Sequence, residues 1–175
     1  KKNFKYIKKD FKKLNNFKNK ILKTCKIEYK YSYSKNLIKK FKKYSILRII
    51  GMGGSILGTE AIYKFLEHKV KKKLIFVNDL KLKVPKKNKD FLNIVVSKSG
   101  NTLETIFNVN LMIKPKDKNI FITENNKNYL RELASKFKSE IIEHKNFIGG
   151  RYSVLSEVGM LPAELMGLSE KKFKQ

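Results

Sequence analysis

Short apolar runs and longer stretches with helical spacing alternate along most of this chain. Five apolar runs have the length and composition of buried strands, at residues 46–50, 74–78, 91–96, 119–123 and 140–143. Helical patterns fall between them, at residues 59–67, 102–113 and 129–138. Strands that alternate with helices form parallel sheets with helices on their faces. The pattern therefore predicts an α/β fold in which a parallel sheet is flanked by helices.

Helical patterns also occur at both ends of the chain. Residues 153–168 are predicted to form a helix that is bent or restarted at Pro162, because proline lacks the N–H that a helix interior needs. Near the N-terminus, apolar residues recur at helical spacing among lysines, at Phe4, Ile7, Phe11, Leu14, Phe17 and Ile21. We expect this basic helix to pack its apolar stripe on the domain, with membrane-surface binding as the alternative. The chain thus divides into an N-terminal helical extension, 1–45, and a sheet domain, 46–175.

Two turns rich in small and hydroxyl residues follow the first and third predicted strands. The first is Gly-Met-Gly-Gly-Ser at residues 51–55, and the second is Ser-Lys-Ser-Gly-Asn-Thr-Leu-Glu-Thr at residues 97–105. The second turn brings three hydroxyls and several backbone amides to a helix N-terminus, where unpaired N–H groups favour an anion. Its Gly100 lets the backbone come close to a ligand. Both turns would face one crevice of an open parallel sheet, which predicts a phosphate site.

Two common nucleotide-binding motifs do not fit the first turn. The dinucleotide fingerprint G-x-G-x-x-G would have Ile56 in place of its third glycine. A P-loop that starts at Gly53 would have Thr59 where its lysine is required. Nucleotide binding is therefore disfavoured.

A third segment, Gly-Gly-Arg-Tyr-Ser-Val-Leu-Ser-Glu-Val-Gly-Met-Leu-Pro-Ala, occupies residues 149–163. Together with the two turns, in this order and at these separations, it closely resembles the N-terminal half of the glucose-6-phosphate isomerase family. The resemblance covers residues 46–168 and implies a sugar-isomerase (SIS) domain, a Rossmann-like three-layer sandwich. It also implies the isomerisation of glucose 6-phosphate and fructose 6-phosphate through an enediolate, in glycolysis and gluconeogenesis, without a cofactor.

The resemblance assigns roles to particular residues of this chain. The family's sugar contacts fall on Gly54 and Ser55, and the arginine that stabilises the enediolate falls on Arg151. The phosphate-binding positions fall on the second turn, at Ser97, Lys98, Ser99, Gly100, Asn101 and Thr102. This isomerisation requires a site that holds the phosphate dianion and offsets the negative charge that develops on an oxygen atom.

The resemblance also implies that important catalytic groups lie elsewhere. In the family, a glutamate, a histidine and a lysine lie downstream of the Gly-Gly-Arg segment, in or after a second related domain. No position of this chain matches them, so we expect a chain that lacks the second domain, binds phosphosugar and is inactive alone. The alternative is a non-catalytic module that senses or sequesters sugar phosphates.

The carboxylates nearest to the motifs are weak substitutes for the missing groups, and neither histidine of the chain sits beside a motif. Glu104 falls in the first turn of a predicted helix, where a carboxylate is favoured electrostatically without any catalytic role. Glu157 and Glu164 are expected on a helix surface, and His68 and His144 in solvated positions. No clustered ligand pattern predicts a metal site.

The chain has a formal net charge of +26, with 41 Lys and Arg among 175 residues. We discount nucleic-acid binding, because the lysines are spread along the whole chain and arginine occurs only at Arg48, Arg131 and Arg151. The single Cys25 precludes an intrachain disulfide, and no segment is apolar enough to span a bilayer. We expect a cytoplasmic protein with a sugar phosphate ligand, a homodimer when complete, and no nucleic-acid or membrane partner.

Overall fold

A computed structural model describes residues 6–10, 12–13, 20–80 and 91–175. Its strands are β1 (Ile46–Gly51), β2 (Lys73–Val77), β3 (Phe91–Val96), β4 (Lys118–Thr123) and β5 (Glu140–Glu143). They form one five-stranded sheet in the order β2-β1-β3-β4-β5, and every neighbouring pair is parallel. The predicted strands and the α/β fold class are therefore confirmed.

Helices precede, connect and follow these strands. They are α1 (Lys35–Phe41), α2 (Leu57–Leu66), α3 (Leu103–Met112), α4 (Tyr129–Lys136) and α5 (Glu157–Leu165). Single 3-10 turns occur at Ile21–Cys25, Gly53–Ser55, Glu67–Lys69, Gly150–Tyr152 and Glu170–Phe173. The three predicted interstrand helices are confirmed to within a few residues at each end. The helix predicted over 153–168 is shorter, because Ser156 caps α5 through its hydroxyl and Gly167, just after its C-terminal end, has a φ of +95°.

The sheet lies between two hydrophobic cores, because successive side chains of a strand point to opposite faces. In β4, Ile120 and Ile122 belong to one core and Phe121 belongs to the other. The first core is completed by α1, α2 and α5, and the second by α3 and α4. This arrangement gives the three layers expected of the fold.

The N-terminal extension contributes to the first core. Leu37, Ile38 and Phe41 of α1 are buried in it, although they precede the predicted domain start. The division at residue 45 stays a prediction. Ile7 lies in a described helical segment and is exposed, so it does not pack on the domain as predicted, whereas Ile21 is partly buried. The other predicted stripe residues, Phe4, Phe11, Leu14 and Phe17, lie outside the described residues.

Described helices are all too short or too polar to cross a membrane.

Pro162 lies inside α5 without interrupting it. Because proline has no N–H, the carbonyl of Val158 loses the hydrogen bond that it would receive from the residue four positions later. The hydroxyl of Thr59 in α2 donates to this carbonyl at 3.1 Å. Thr59 is fully buried, so the contact also fixes α2 against α5 at the proline.

We expect Thr59→Val to lower the free energy of unfolding by about 1–2 kcal/mol, because it leaves the Val158 carbonyl buried without a partner. Chemical denaturation measures this loss, and Thr59→Ser, which keeps the hydroxyl, is the control. In a Pro162→Ala background the new N–H can serve the carbonyl, so the cost of Thr59→Val should shrink. An equal cost in both backgrounds would show that the hydroxyl does not act through Val158.

Candidate functional site

The order of the sheet places a crevice between the ends of β1 and β3. These strands are neighbours, and Gly51 at the end of β1 pairs with Val96 at the end of β3. The chain then leaves β1 toward α2 on one face and leaves β3 toward α3 on the other. Parallel sheets bind ligands at such a switch point, outside the carboxyl ends of the strands. The first two sequence motifs lie here.

The turn after β3 is built from its own hydroxyl groups. The buried Ser97 accepts a hydrogen bond from the Gly100 amide at 3.2 Å, and its Oγ lies 2.9 Å from Oγ1 of Thr102. The exposed Ser99 accepts a hydrogen bond from the Asn101 amide at 3.2 Å. The predicted phosphate residues are therefore brought together in one compact turn.

The N-terminus of α3 is open to a ligand. Its N-cap residue Thr102 makes no hydrogen bond to the first turn, because its hydroxyl contacts Ser97 instead. By contrast, Asn128 and Ser156 cap α4 and α5 through their side chains. The uncapped amides and the dipole of a ten-residue helix favour an anion at this position. Glu104 lies in the first turn of α3, as predicted.

The connection between β4 and α4 supports this turn, which sequence reasoning did not foresee. Gly100 has a φ of +67°, and a Cβ at this position would lie 1.9 Å from Oδ1 of Asn128. The Leu130 amide donates to the Gly100 carbonyl at 3.2 Å, and the Tyr129 amide donates to the Asn101 side chain at 3.1 Å. The missed residue is Asn128, and its position just before a helical pattern is the signal that could have identified it as a cap.

The first and third motifs are in direct backbone contact. A Cβ at Gly54 would lie 2.3 Å from the carbonyl of Gly150, so a side chain cannot be accommodated there. The hydroxyl of Ser153 holds the same contact, with distances of 2.7 Å to the Gly150 oxygen and 3.2 Å to the Gly54 oxygen. Arg151 follows Gly150 and is exposed, with no hydrogen bond or ion pair to the residues that the structure describes. Its charge is therefore free for a ligand.

Lys98 joins the second motif to the third. Its ammonium group donates to the carbonyl of Asn146 at 2.7 Å and lies 3.6 Å from a carboxylate oxygen of Glu124. The side chain thus fixes the phosphate turn beside the segment that leads to Gly149. These contacts engage the ammonium group of Lys98, whereas its backbone amide lies in the turn for which phosphate binding is predicted.

Glu157 and Glu164 were expected on a helix surface, and this prediction is wrong. They lie seven residues apart on α5 and are buried. Glu157 accepts a hydrogen bond from the Ser32 amide at 2.9 Å, and Glu164 accepts one from the Tyr33 hydroxyl at 2.7 Å. Burial raises the pKa of Tyr33, and the carboxylate of Glu164 raises it further. These carboxylates anchor the N-terminal segment and are not available for proton transfer.

His144 was expected in a solvated position, and this is also wrong. It lies directly after β5 and is buried, and its Nε2 has no hydrogen-bond partner among the described residues. Burial lowers the pKa of the imidazole, which favours its neutral form. His68 is exposed in the turn that follows α2, as predicted.

Metal binding has no support in the described part of the chain, where no three His, Cys, Asp or Glu side chains are grouped as a metal ion requires.

The sequence motifs and this geometry agree with one protein family. A family model described as phosphoglucose isomerase matches residues 12–173. The chain belongs to the phosphoglucose isomerase family. The Gly-Gly-Arg segment, the phosphate turn and the first glycine turn all fall within the matched range, so the family predicted by resemblance is confirmed.

Curated relatives in the phosphoglucose isomerase family are considerably longer than this chain. A glucose-6-phosphate isomerase of Mycoplasma mycoides subsp. mycoides SC is 34% identical over 160 residues, which cover 79% of this chain and 38% of the relative. One of Methanocaldococcus jannaschii is 35% identical over 159 residues, covering 80% of this chain and 38% of the relative. The chain therefore spans less than two fifths of each relative.

A solved structure has a fold similar to that of this chain. Tagatose-6-phosphate ketose/aldose isomerase from Escherichia coli superposes with a TM-score of 0.55 and 14% identity, over 79% of this chain and 43% of that chain. At this identity the similarity concerns the fold alone. It agrees with the predicted SIS-type sandwich.

Proposed function

We propose that this chain is the phosphosugar-binding part of a glucose-6-phosphate isomerase, which interconverts glucose 6-phosphate and fructose 6-phosphate through an enediolate. The observation that carries the proposal is the uncapped N-terminus of α3, which lies at the switch point of the sheet behind a turn of hydroxyl residues. The names of the two curated relatives support the same reaction.

The phosphate end of the ligand is bound by the turn after β3. A dianion at the α3 N-terminus accepts hydrogen bonds from the hydroxyls of Ser97, Ser99 and Thr102 and from the backbone amides of Lys98 and Ser99, because the next two amides of the turn already donate within it. Hydrogen bonds to a charged acceptor are stronger than those between neutral groups. The packing of Gly100 against Asn128 holds these donors in place before the ligand arrives.

The sugar end lies toward the contact between the first and third motifs. Gly54 and Ser55 border the sugar, and Arg151 faces the oxygen on which negative charge develops as the enediolate forms. Its guanidinium stays protonated and presents a planar set of donors. Donors placed in advance where charge develops lower the barrier more than donors that must reorganise.

Proton transfer requires groups that this site does not supply. Glu157 and Glu164 are engaged by the N-terminal segment, and His144 is buried. A missing general base alone costs about 10²- to 10⁴-fold in rate. The isolated chain is therefore expected to bind the ligand without turning it over. The homodimer, the cytoplasmic location and the absence of nucleic-acid and membrane partners remain predictions.

Calorimetric titration with 5-phosphoarabinonate, an enediolate mimic, tests the site. We expect saturable binding with a Kd of about 1 mM, which corresponds to roughly 4 kcal/mol. Thr102→Val and Arg151→Ala should each weaken it about tenfold or more, because each removes a donor to a charged group. Arg131→Ala on α4 is the matched control, since it removes the same charge away from the site and should leave the Kd unchanged.

Two outcomes would contradict the proposal. Binding that is indifferent to Thr102→Val and Arg151→Ala would show that the ligand lies elsewhere. Equal weakening by Arg131→Ala and Arg151→Ala would show that the net positive charge, and not the Gly-Gly-Arg geometry, attracts the ligand.

A further inference from the structure

Arg48 places a positive charge in the interior of the sheet domain. It lies on β1, is 4% exposed, and faces the second core, as does Ile50 two positions later. A buried charge is costly unless hydrogen bonds compensate it. Lysine supplies most of the positive charge of this chain, and arginine occurs at only three positions. The arginine at position 48 therefore indicates that its planar set of donors is needed there.

The guanidinium of Arg48 links β1 to the C-terminal end of α3. Its Nε donates to Oδ1 of Asn93 on β3 at 2.8 Å, and its Nη2 donates to the carbonyl of Met112 at 3.1 Å. Met112 is the last residue of α3, where carbonyls lack a partner within the helix and the helix dipole favours a cation. The C-terminal end of the helix that begins at the phosphate turn is thus fixed to the sheet.

A buried row of amide side chains holds Asn93 in this orientation. Nδ2 of Asn93 donates to Oδ1 of Asn119 on β4 at 2.7 Å, and Nδ2 of Asn119 donates to the carbonyl of Asp117 at 3.1 Å. Arg48, Asn93 and Asn119 are partners in the strand register, so they lie side by side across three strands. Each amide both accepts and donates, which makes the network rigid. The contact with Met112 is therefore made from a fixed support.

Apolar packing by itself does not fix α3 along its axis. Val109 and Met112 anchor the helix in the second core through contacts that have no preferred direction. Near the middle of the helix, Nδ2 of Asn108 donates to the carbonyl of Asp79 at 2.8 Å, but Asp79 lies in the loop after β2 and not in the sheet. Hydrogen bonds are directional, and a helix displaced by one residue moves by about 1.5 Å. A binding site tolerates a displacement of only about 0.5 Å, so the bond from Arg48 supplies a restraint that apolar packing lacks.

We propose that Arg48 is a positioning residue for the phosphate site, because its hydrogen bond to the end of α3 sets where the uncapped N-terminal amides of this helix lie. Arg48 does not touch the ligand, since it precedes Gly51 at the end of β1 by three residues, or about 10 Å. Its effect reaches the phosphate through the ten-residue helix, which is about 15 Å long. The effect on ligand affinity rests on the proposed function, whereas the placement of the helix does not.

Arg48→Met tests the proposal, because it removes both donors while keeping a long side chain in the core. We expect the Kd for 5-phosphoarabinonate to rise about tenfold, since a misplacement of about 1 Å at a site can cost even more. Asn119→Ala is the matched control, because it breaks the same buried network on β4 and removes neither partner of Arg48. It should destabilise the chain in urea and yet change the Kd by less than about twofold, because remote sites act independently.

Amide resonances report the position of α3 without a ligand. In NMR spectra of the isotope-labelled chain, Arg48→Met should shift the amide signals of Glu104 and Thr105, in the first turn of α3, whereas Asn119→Ala should not. These amides lie at the opposite end of the helix from Arg48, so their shifts report a movement of the helix and not the loss of the nearby guanidinium. Arg48→Lys, which provides a charged donor without the planar fork, should give an intermediate Kd.

Equal weakening of binding by Arg48→Met and Asn119→Ala would overturn the proposal, because loss of the network alone would then explain it. Either an unchanged Kd or unmoved first-turn signals in Arg48→Met would also overturn it, and the proposed function would stand as long as the parent chain binds. If Arg48→Met does not fold, Arg48→Lys decides by the same two measurements. A parent chain that does not bind 5-phosphoarabinonate would reject the proposed function, and the amide signals alone would then decide the placement of α3.

Discussion

Gly54→Ala is expected to remove 5-phosphoarabinonate binding and to lower the free energy of unfolding by about 3 kcal/mol, near the upper end of the cost of overpacking. The new Cβ would lie 2.3 Å from the carbonyl carbon and oxygen of Gly150 and 2.7 Å from the amide nitrogen of Arg151. These neighbours are backbone atoms, so no flexible side chain can move aside. The first and third motifs must separate, which displaces Arg151 from the proposed sugar site.

Gly53→Ala is the matched control for this substitution. Gly53 has a φ of +53°, but a Cβ added to it would have no atom of the described residues within 4 Å. We expect a cost of about 1–2 kcal/mol from the left-handed backbone alone, with ligand binding retained. Urea unfolding and calorimetric titration of both variants separate the two effects. Binding by Gly54→Ala at the original affinity would show that contact between these motifs is not needed for the site.

Glu157→Ala is expected to lower the free energy of unfolding by about 3–5 kcal/mol, the range found when one partner of a buried charged contact is removed. The fully buried carboxylate accepts hydrogen bonds from the Tyr29 hydroxyl and from the amide and hydroxyl of Ser32. It also lies 3.8 Å from the Lys145 ammonium group. Its loss leaves several donors without an acceptor, and each buried donor so left costs about 1–3 kcal/mol.

Urea unfolding measures this change, with Glu67→Ala as the control. Glu67 is exposed in the turn after α2, so its substitution should change stability by no more than about 0.5 kcal/mol. Glu157→Gln keeps the shape of the side chain and one acceptor oxygen. Its loss of unfolding free energy should therefore lie between those of Glu157→Ala and Glu67→Ala. If Glu157→Ala lowers the free energy of unfolding by less than about 1 kcal/mol, the change is close to that of an ordinary surface substitution. The N-terminal segment would then not be anchored through this carboxylate.

Local spacing accounts for the elements that were predicted correctly. The run at 119–123 is apolar enough to be buried on both faces, and the structure places β4 in the middle of the sheet with its side chains in both cores. The turn at 97–102 was recognised because its hydroxyl and glycine residues precede a helical pattern. Both signals depend on neighbours within a few residues, which a single sequence records directly.

The errors concern residues whose partners are remote in sequence. Glu157 and Ser32 are separated by 125 positions, and Tyr33 and Glu164 by 131. A glutamate on a helical pattern looks like a surface residue until a tyrosine or an amide is found opposite it. His144 was misplaced for the same reason, because its burial follows from the elements packed around the end of β5.

The parallel α/β fold, the three motifs and their resemblance to a family follow from the amino-acid sequence alone, because periodicity and motif composition are local properties. How the motifs meet depends on tertiary packing. The strand order puts the ends of β1 and β3 side by side, and backbone contact brings Gly54 against Gly150. Tertiary packing also turns Lys98 toward Asn146 and leaves Leu103, Phe107 and Leu111 of α3 exposed. Such contacts depend on packing between distant segments, which local spacing does not encode.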